Sequence, residues 1–305
     1  MIYTCTMNPA IDLFVEMDTF VADEVNRSKY EEYQANGKGI NVAIVLKKLG
    51  IDSMTLGFLG GFSGQFIKDS LDSLFISNDF ILVDGITRIN TFVQSINGEY
   101  KVVNQGPEIS SGDQEKLLHQ LEQLNNNDIL FVNGSLPKGV DASILLEISK
   151  ISLKNGFKLV WDISHPILKE LVKYKPYLIK PNIDEFRKIF FEEESNDDRI
   201  IEQAKVLVSK GVENILISRG GEGAWFVNEF MVLESNAPGG TVVNTACSGD
   251  TLLATFYATY QVSGDAKYSL KKAVAAGSST AFRPGLTNFT DVDRLMENIT
   301  VSRHK

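Results

Sequence analysis

Asn244-Thr245-Ala246-Cys247-Ser248-Gly249-Asp250 runs directly into the apolar stretch Thr251-Leu252-Leu253-Ala254. Small residues opening a helix let successive backbone N–H groups converge on an anion, and the helix dipole favours negative charge there. An aspartate inside such an opening lies within reach of a group bound beside the anion. Asp250 is therefore placed to take a hydroxyl proton while the amides hold a transferring phosphoryl group. The competing reading is a plain helix start, where aspartate is favoured for capping alone.

Asn36-Gly37-Lys38-Gly39-Ile40-Asn41-Val42-Ala43 carries a second anion signal. Glycines around a lysine, opening a helix that ends near Leu49, suit a phosphate monoester; a turn with a solvated lysine is the bland alternative. The segment is not a Walker loop, because Glu32 stands where that pattern needs glycine. Nor is it a dinucleotide fingerprint, since Val42 occupies the third glycine position. Arg27 and Arg88, both expected on lid strands, add positive charge, and the planar arginine fork suits phosphate.

Two further segments are weaker alone. Ser218-Arg219-Gly220-Gly221-Glu222-Gly223-Ala224 follows an apolar run, and its glycines would allow a backbone to approach phosphates or a ribose. They equally suit a hairpin before Trp225-Phe226-Val227. Lys180-Pro181-Asn182-Ile183-Asp184-Glu185 sets Asn182 and Glu185 three apart on a new helix, able to orient magnesium-bound waters or simply to cap the helix.

The elements that must position these residues are legible as an alternation. Apolar runs at Ile129–Val132, Leu159–Trp161, Tyr177–Ile179 and Ile215–Ile217 each end in polar or small residues. Helical patterns lie between, in Ala142–Asn155, Pro166–Tyr174 and Asp197–Lys210. Buried strands alternating with helices predict an α/β fold with a parallel sheet, and ligands in such sheets sit at the carboxyl ends of the strands. Ile11–Ala35 and Thr87–Asn104 instead alternate apolar and polar residues, with a turn at Asn97-Gly98, and predict half-exposed antiparallel strands forming a small lid. Gly249–Phe282 reads as two helices broken near Gly264-Asp265, with Ala273, Ala275, Ala276 and Gly277 suiting close packing. Asn125–Asn127 and Glu192–Asp198 read as solvated loops.

The chain has 305 residues, with 39 acidic and 30 basic side chains and a net charge of −9. That balance argues against a nucleic-acid backbone binder, which normally carries a basic excess. Hydrophobic residues at 43% and charged residues at 23% are ordinary globular values, enough for a core without a metal or disulfide staple. Cys5 and Cys247 form no metal or redox motif, and the histidines His119, His165 and His304 fall outside every motif. The amino terminus lacks a charged segment followed by a long apolar one, and Thr251–Gly264 is too short and polar for a bilayer span. These features predict a cytoplasmic protein that touches no membrane.

Taken together and in order, the motifs resemble the PfkB-type carbohydrate kinases, in the branch of 1-phosphofructokinase and tagatose-6-phosphate kinase. The stretches that carry the resemblance are Asn8–Asp12, Gly37–Ala43, Gly106–Ile109, Gly134–Gly139, Lys180–Glu185 and Ser248–Asp250. The resemblance implies a single ribokinase-like, Rossmann-type domain across residues 1–305 with a β lid near 11–35 and 87–104. It also implies ATP-dependent phosphorylation of a ketohexose monophosphate, with Mg2+. By the same likeness Asp250 is the catalytic base, and the amides of Ala246, Cys247, Ser248 and Gly249 form the anion hole. Asp12 and Asn41 would hold sugar hydroxyls, with Gly37, Gly39 and Ser135 beside them. Lys38 and Arg88 would hold the existing phosphate, and Arg27, read from its lid position, would add to that positive charge. Lys180, Asn182, Glu185, Ser218, Gly220 and Gly223 would serve ATP and magnesium, and Ala275 and Ser279 would flank the adenine.

Two positions depart from the family pattern: Asn36 stands where a glycine usually precedes Gly37, and Ala246-Cys247 replaces valine–glycine. Their Cβ atoms restrict the backbone, but none is proline, so every anion-hole amide survives. Fructose 1-phosphate and tagatose 6-phosphate are the leading substrates. Thr280-Ala281-Phe282 with Gly285-Leu286 resembles the carboxyl-terminal segment of 1-phosphofructokinases and favours the first. The rival readings are an ATP-binding regulator without turnover and, on fold alone, a nicotinamide oxidoreductase, against which the missing GxGxxG counts. A lid with an apolar face would invite a homodimer.

Overall fold

A computed structural model describes residues 1–191 and 195–304. In chain order the elements begin β1 (Ile2–Thr6), β2 (Ala10–Glu16), β3 (Tyr30–Asn36), α1 (Lys38–Lys48), β4 (Met54–Leu59) and α2 (Gly61–Ser73). They continue through β5 (Ser77–Asn78), β6 (Ile81–Leu82), β7 (Arg88–Ser95), β8 (Gly98–Val102), α3 (Ser111–Leu121) and β9 (Ile129–Asn133). Then come α4 (Ser143–Asn155), β10 (Lys158–Asp162), α5 (Leu168–Leu171), β11 (Leu178–Ile179), α6 (Ile183–Phe190), α7 (Asp197–Ser209) and β12 (Asn214–Ser218). The last are β13 (Ala224–Asn228), β14 (Val232–Ser235), α8 (Ser248–Ser263), α9 (Ala266–Ala281), α10 (Val292–Glu297) and β15 (Val301–Arg303).

The apolar runs become strands because both their faces are covered. Cys5, Val132, Trp161, Ile179 and Ile217 point into one helical layer, while Phe131, Val160, Leu178 and Leu216 point into the other. Strands buried on both sides need no polar alternation, which is why they read as continuous apolar blocks. The sheet order is β15-β14-β13-β12-β11-β10-β9-β1-β4-β5, parallel from β5 to β12 and antiparallel from β12 to β15. The chain moves outward one way from β1 to β4 and the other way from β9 to β10. The strand order therefore reverses between β1 and β9, where α/β sheets open a crevice. Register aligns Thr6, Asn133 and Asp162 side by side at that edge.

The lid is a separate four-stranded sheet of order β3-β2-β7-β8. It corrects the expectation of antiparallel strands in one respect: the two hairpins are antiparallel, but β2 and β7 pair in parallel. The chain leaves the main sheet twice at the same carboxyl edge, so the first strand of each excursion points the same way. Arg27 is a second correction, since it lies exposed in the loop between β2 and β3 and not on a strand.

Helices α8 and α9 match the two expected segments, with Gly264 in the left-handed region at φ 66° between them and Asp265 capping α9. Within the stretch Glu192–Asp198, Glu192–Glu194 lie outside the described residues. Its end is helical, because Asn196 caps α7 and Asp197 opens it.

Candidate active site

The amino termini of α1 and α8 meet above the crevice. Helix α1 starts two residues after the last lid pair, and Gly39 sits so close to β1 that a Cβ there would lie 2.6 Å from Thr6 Oγ1. Only glycine lets that helix end descend onto the strand edge. Beneath it, the carboxylate of Asp162 is fully buried and its Oδ1 accepts both Lys38 Nζ at 3.0 Å and Lys180 Nζ at 3.2 Å. Burial alone would raise the Asp162 pKa, but Lys180 and Lys38 outweigh it and hold the carboxylate below the usual range. Burial likewise pulls Lys38 down, and Asp162, Asp250 and Glu185 more than reverse it. Lys180 Nζ would stand 3.3 Å from a Cβ on Gly249, so both ammonium groups face the start of α8.

That start is unusual. Its N-cap, Cys247, is left-handed at φ 62° and ψ −3°, a conformation that costs a residue with a Cβ roughly 1–2 kcal/mol. The first intrahelical bond is Thr251 N to Cys247 O at 2.9 Å, leaving earlier amides outside the ladder. The four-amide anion hole needs correcting. Ala246 N already donates to Asn244 Oδ1 at 2.9 Å, and Ser248 N leans on Thr245 O at 3.4 Å. Among the described residues, the amides of Cys247 and Gly249 have no internal acceptor.

Asp250 is buried on the first turn, and its Oδ2 accepts Asn41 Nδ2 at 2.8 Å. Burial and the neighbouring Asp162 raise its pKa to about 6, against the pull of Asn41, Lys38 and Lys180. An aspartate so placed is a better proton acceptor near neutral pH than an exposed one. If Asp250 is the base, kcat/KM is level above about pH 6 and falls about tenfold per unit below it. A pH–rate profile with no acid limb between pH 5 and 7 would remove Asp250 from that role.

On the lid side, Asp12 Oδ1 accepts Asn90 Nδ2 at 2.8 Å and its Oδ2 accepts Asn36 Nδ2. Arg88 is held by the carbonyls of Asn8 at 2.8 Å, Asn104 at 3.3 Å and Pro9 at 3.4 Å, and Asn8 Nδ2 donates to Ser135 Oγ at 3.3 Å. Arg88, Ser135 and Asp12 therefore gather at the lid root. Lys38 does not share a partner with Arg88; it belongs with Lys180 on Asp162. Its ammonium lies beside Asp250, apart from the carbonyls that hold Arg88. Arg27 joins neither group and makes no ion pair with a described residue.

The nucleotide motifs divide. Asn182 and Glu185 form a complete capping box on α6, with Asn182 Oδ1 accepting Glu185 N at 2.7 Å and Glu185 Oε2 accepting Asn182 N at 2.8 Å. Glu185 also accepts the Ser164 hydroxyl, yet still acts on Lys38 across the cleft. Ser218 bridges in parallel to Asn182, so the end of β12 abuts α6. Gly220 opens a tight turn with open space around it, whereas Gly223, at φ 97°, would drive a Cβ to 2.0 Å from Ser235 O. Gly223 is thus required where the β12–β13 turn passes against the end of β14. Ala275 and Ser279 are corrections. Both are fully buried, Ala275 in the core and Ser279 bonded to Thr287 and Asp291, so neither presents a face to an adenine.

Asp162, Asn133 and Thr6 are the site residues that motif reasoning passed over. Asp162 Oδ2, Thr6 Oγ1 and both amide atoms of Asn133 are buried without a partner, a concentration of unmet polarity that marks a functional crevice. The signal was available: each is the polar residue ending an apolar run beside the strand-order reversal.

A profile of pfkB family carbohydrate kinases matches residues 5–293, and the chain belongs to that family. Among its relatives, D-tagatose-1-phosphate kinase of Bacillus licheniformis is 44% identical over 303 residues, covering 99% of both chains. The 1-phosphofructokinase of Bacillus subtilis is 33% identical over 303 residues, covering 99% of this chain and all of that one. Phosphofructokinase-2 of Escherichia coli shares the fold, with a TM-score of 0.90 at 23% identity over 97% of this chain and 98% of that one.

Proposed function

We propose that this chain transfers the γ-phosphoryl group of ATP to the 6-hydroxyl of a ketohexose 1-phosphate, giving a 1,6-bisphosphate. The observation that carries the reading is the separation of two cationic centres. Arg88 with Ser135 at the lid root suits the phosphate already on the sugar, and Lys38 with Lys180 beside Asp250 suits the one being moved. Relatives named for tagatose 1-phosphate and fructose 1-phosphate support a substrate phosphorylated at C1. Tagatose 1-phosphate thereby joins fructose 1-phosphate as a leading substrate. Tagatose 6-phosphate, the alternative, is supported by a relative at 32% identity.

In this mechanism Asp250 accepts the hydroxyl proton as the acceptor oxygen attacks in line. Lys38, Lys180 and the amides of Cys247 and Gly249 offset charge on the moving group, and no covalent enzyme intermediate is required. The turn at Gly220 and the end of β12 lie where ATP would approach, and closure of the lid would keep water from it. No three carboxylate, histidine or cysteine side chains form a metal cage among the described residues, which suits magnesium held mostly by phosphates and water. Asn182, Glu185 and the free oxygen of Asp162 would hold it through water, and it would supply further charge neutralisation.

Exposed Phe20, Val21, Tyr33 and Val102 on the lid and its loop support a homodimer closed lid to lid. Among the described residues no helix is long and apolar enough to cross a membrane, and the free Cys5 and Cys247 suit a reducing, cytoplasmic setting.

Coupled ADP release tests the assignment with wild type, Arg88→Ala and Lys38→Ala on fructose 1-phosphate, tagatose 1-phosphate and tagatose 6-phosphate. Arg88→Ala is expected to raise KM for the sugar phosphate roughly 10–100-fold with kcat largely kept, the loss of a charge-assisted contact. Lys38→Ala is expected to lower kcat by about 10²-fold or more. The opposite pattern would exchange the two centres, and absence of turnover on every sugar phosphate would leave an ATP-binding protein.

A further inference from the structure

Two side chains, Asn36 and Cys247, stand where the family pattern has glycine, and they converge on one atom. Asn41 Nδ2 lies 2.8 Å from Asn36 Oδ1, 2.8 Å from Asp250 Oδ2 and 3.2 Å from Cys247 Sγ. Asn36 reaches on to Asp12 through its own amide, and Asp12 to Asn90. The result is an unbroken belt, Asn90–Asp12–Asn36–Asn41–Asp250, running from the lid to the base. With glycine at position 36 the belt would be cut between Asp12 and Asn41.

An amide nitrogen has two hydrogens. The two oxygen acceptors at 2.8 Å are the stronger claimants, and the sulfur at 3.2 Å takes only a weak share of the donor. Burial, Asp250 and Asp12 push the Cys247 pKa up and outweigh the hydrogen bonds from Asn41 and Asn36, so the thiol stays neutral. Cys247 therefore presents a soft, weakly polar surface next to a strongly polar one. Asn36, Asn41, Ala246 and Cys247 line one cavity of about 340 Å³, with Phe14 and Leu286 also on its wall, and Asp250 and Asp12 act on Cys247 from beside it. Cys247 takes up its place there on a backbone at φ 62° that glycine would adopt without strain.

A sugar carbon facing this wall has one C–H and one hydroxyl to distribute. Setting the hydroxyl on Asn36 and Asp12 and the C–H on sulfur satisfies both. The inverted epimer places its hydroxyl on sulfur and leaves the amide and carboxylate facing a C–H, a mismatch that polar sites reject strongly. We propose that Asn36 and Cys247 set the epimer preference of the acceptor site, discriminating fructose 1-phosphate from tagatose 1-phosphate, which differ in configuration at one carbon. This rests on the ketohexose 1-phosphate reading above.

The test measures kcat and KM for both epimers in wild type, Asn36→Gly, Cys247→Gly and Cys247→Ser, with a thermal melt of each. Wild type is expected to favour one epimer by about tenfold to a hundredfold in kcat/KM. Asn36→Gly and Cys247→Gly should each bring that ratio about tenfold closer to one, mostly through KM of the two sugars and not of ATP. Cys247→Ser keeps the shape but offers a hydroxyl, so the disfavoured epimer should gain there too. Equal turnover of both epimers by wild type overturns the proposal. So do variants that change kcat/KM for both epimers by the same factor while melting like wild type. If wild type turns over neither 1-phosphate, the functional reading itself has failed, a result distinct from an unchanged ratio.

Discussion

Asp250→Asn is expected to lower kcat by roughly 10²–10⁴ while leaving both KM values within a few-fold, the scale for losing a general base. The same substitution is expected to raise the melting temperature at pH 7 by a few degrees. The folded pKa of Asp250 is raised to about 6 by burial and by Asp162, above the value near 3.9 of an unfolded aspartate. The native state thus binds the proton more tightly than the unfolded chain does. Stability falls as pH rises from about 4 to 6 and stays lower above it, so a neutral asparagine removes a standing cost. The gain should vanish below about pH 3, where the wild-type carboxyl is protonated in both states. Loss of stability at neutral pH, or turnover close to wild type, would show that the charge on Asp250 is neither strained nor catalytic.

Asp162→Ala carries the largest expected effect on stability. Its carboxylate is wholly buried and compensates Lys180, itself only 4% exposed, together with Lys38. Deleting one member of a buried charge cluster leaves the others uncompensated and costs roughly 3–5 kcal/mol. The pKa of Asp162 is depressed, so its contribution is fully present above the unfolded value and fades as pH falls through the folded one. Asp162→Asn is the gentler companion. It keeps the shape, removes the charge that raises Asp250, and should move the acid limb of the rate profile to lower pH. A variant that melts like wild type and keeps the same acid limb would reduce Asp162 to a bystander.

Helix starts, buried strands and the two-helix segment from Ser248 to Ala281 were legible because each rests on local chemistry: caps, apolar periodicity and small residues. What depends on pairing across the chain was not. The parallel match of β2 with β7 joins residues about 80 positions apart, and no spacing within either segment encodes it. Arg27 and Arg88 look alike as lone arginines in lid-like sequence, yet only Arg88 finds three carbonyls to hold it. Ala275 and Ser279 were set beside an adenine by the family resemblance alone, while their small side chains already suited the close helix packing that turns them inward. Lys38 was visible as a cation but its counter-charge was not, since Asp162 lies 124 residues away. The departures at Asn36 and Cys247 read as simple losses of glycine in the sequence; in space they form a contact.

The parallel junction of β2 and β7 has a mechanical consequence. A hairpin flap swings on two strands of chain, but this sheet is hung from the body by four, since both excursions leave and return separately. It cannot flex as one finger; it must travel as a panel. One of its cords is very short, because Asn36 ends β3 and Lys38 already belongs to α1. Any travel of the panel therefore pulls on the end of α1 and on the ammonium bound to Asp162. On the proposed mechanism, seating the sugar and arming the transfer centre would become one movement, and the panel would act as a safety catch against spending ATP on water.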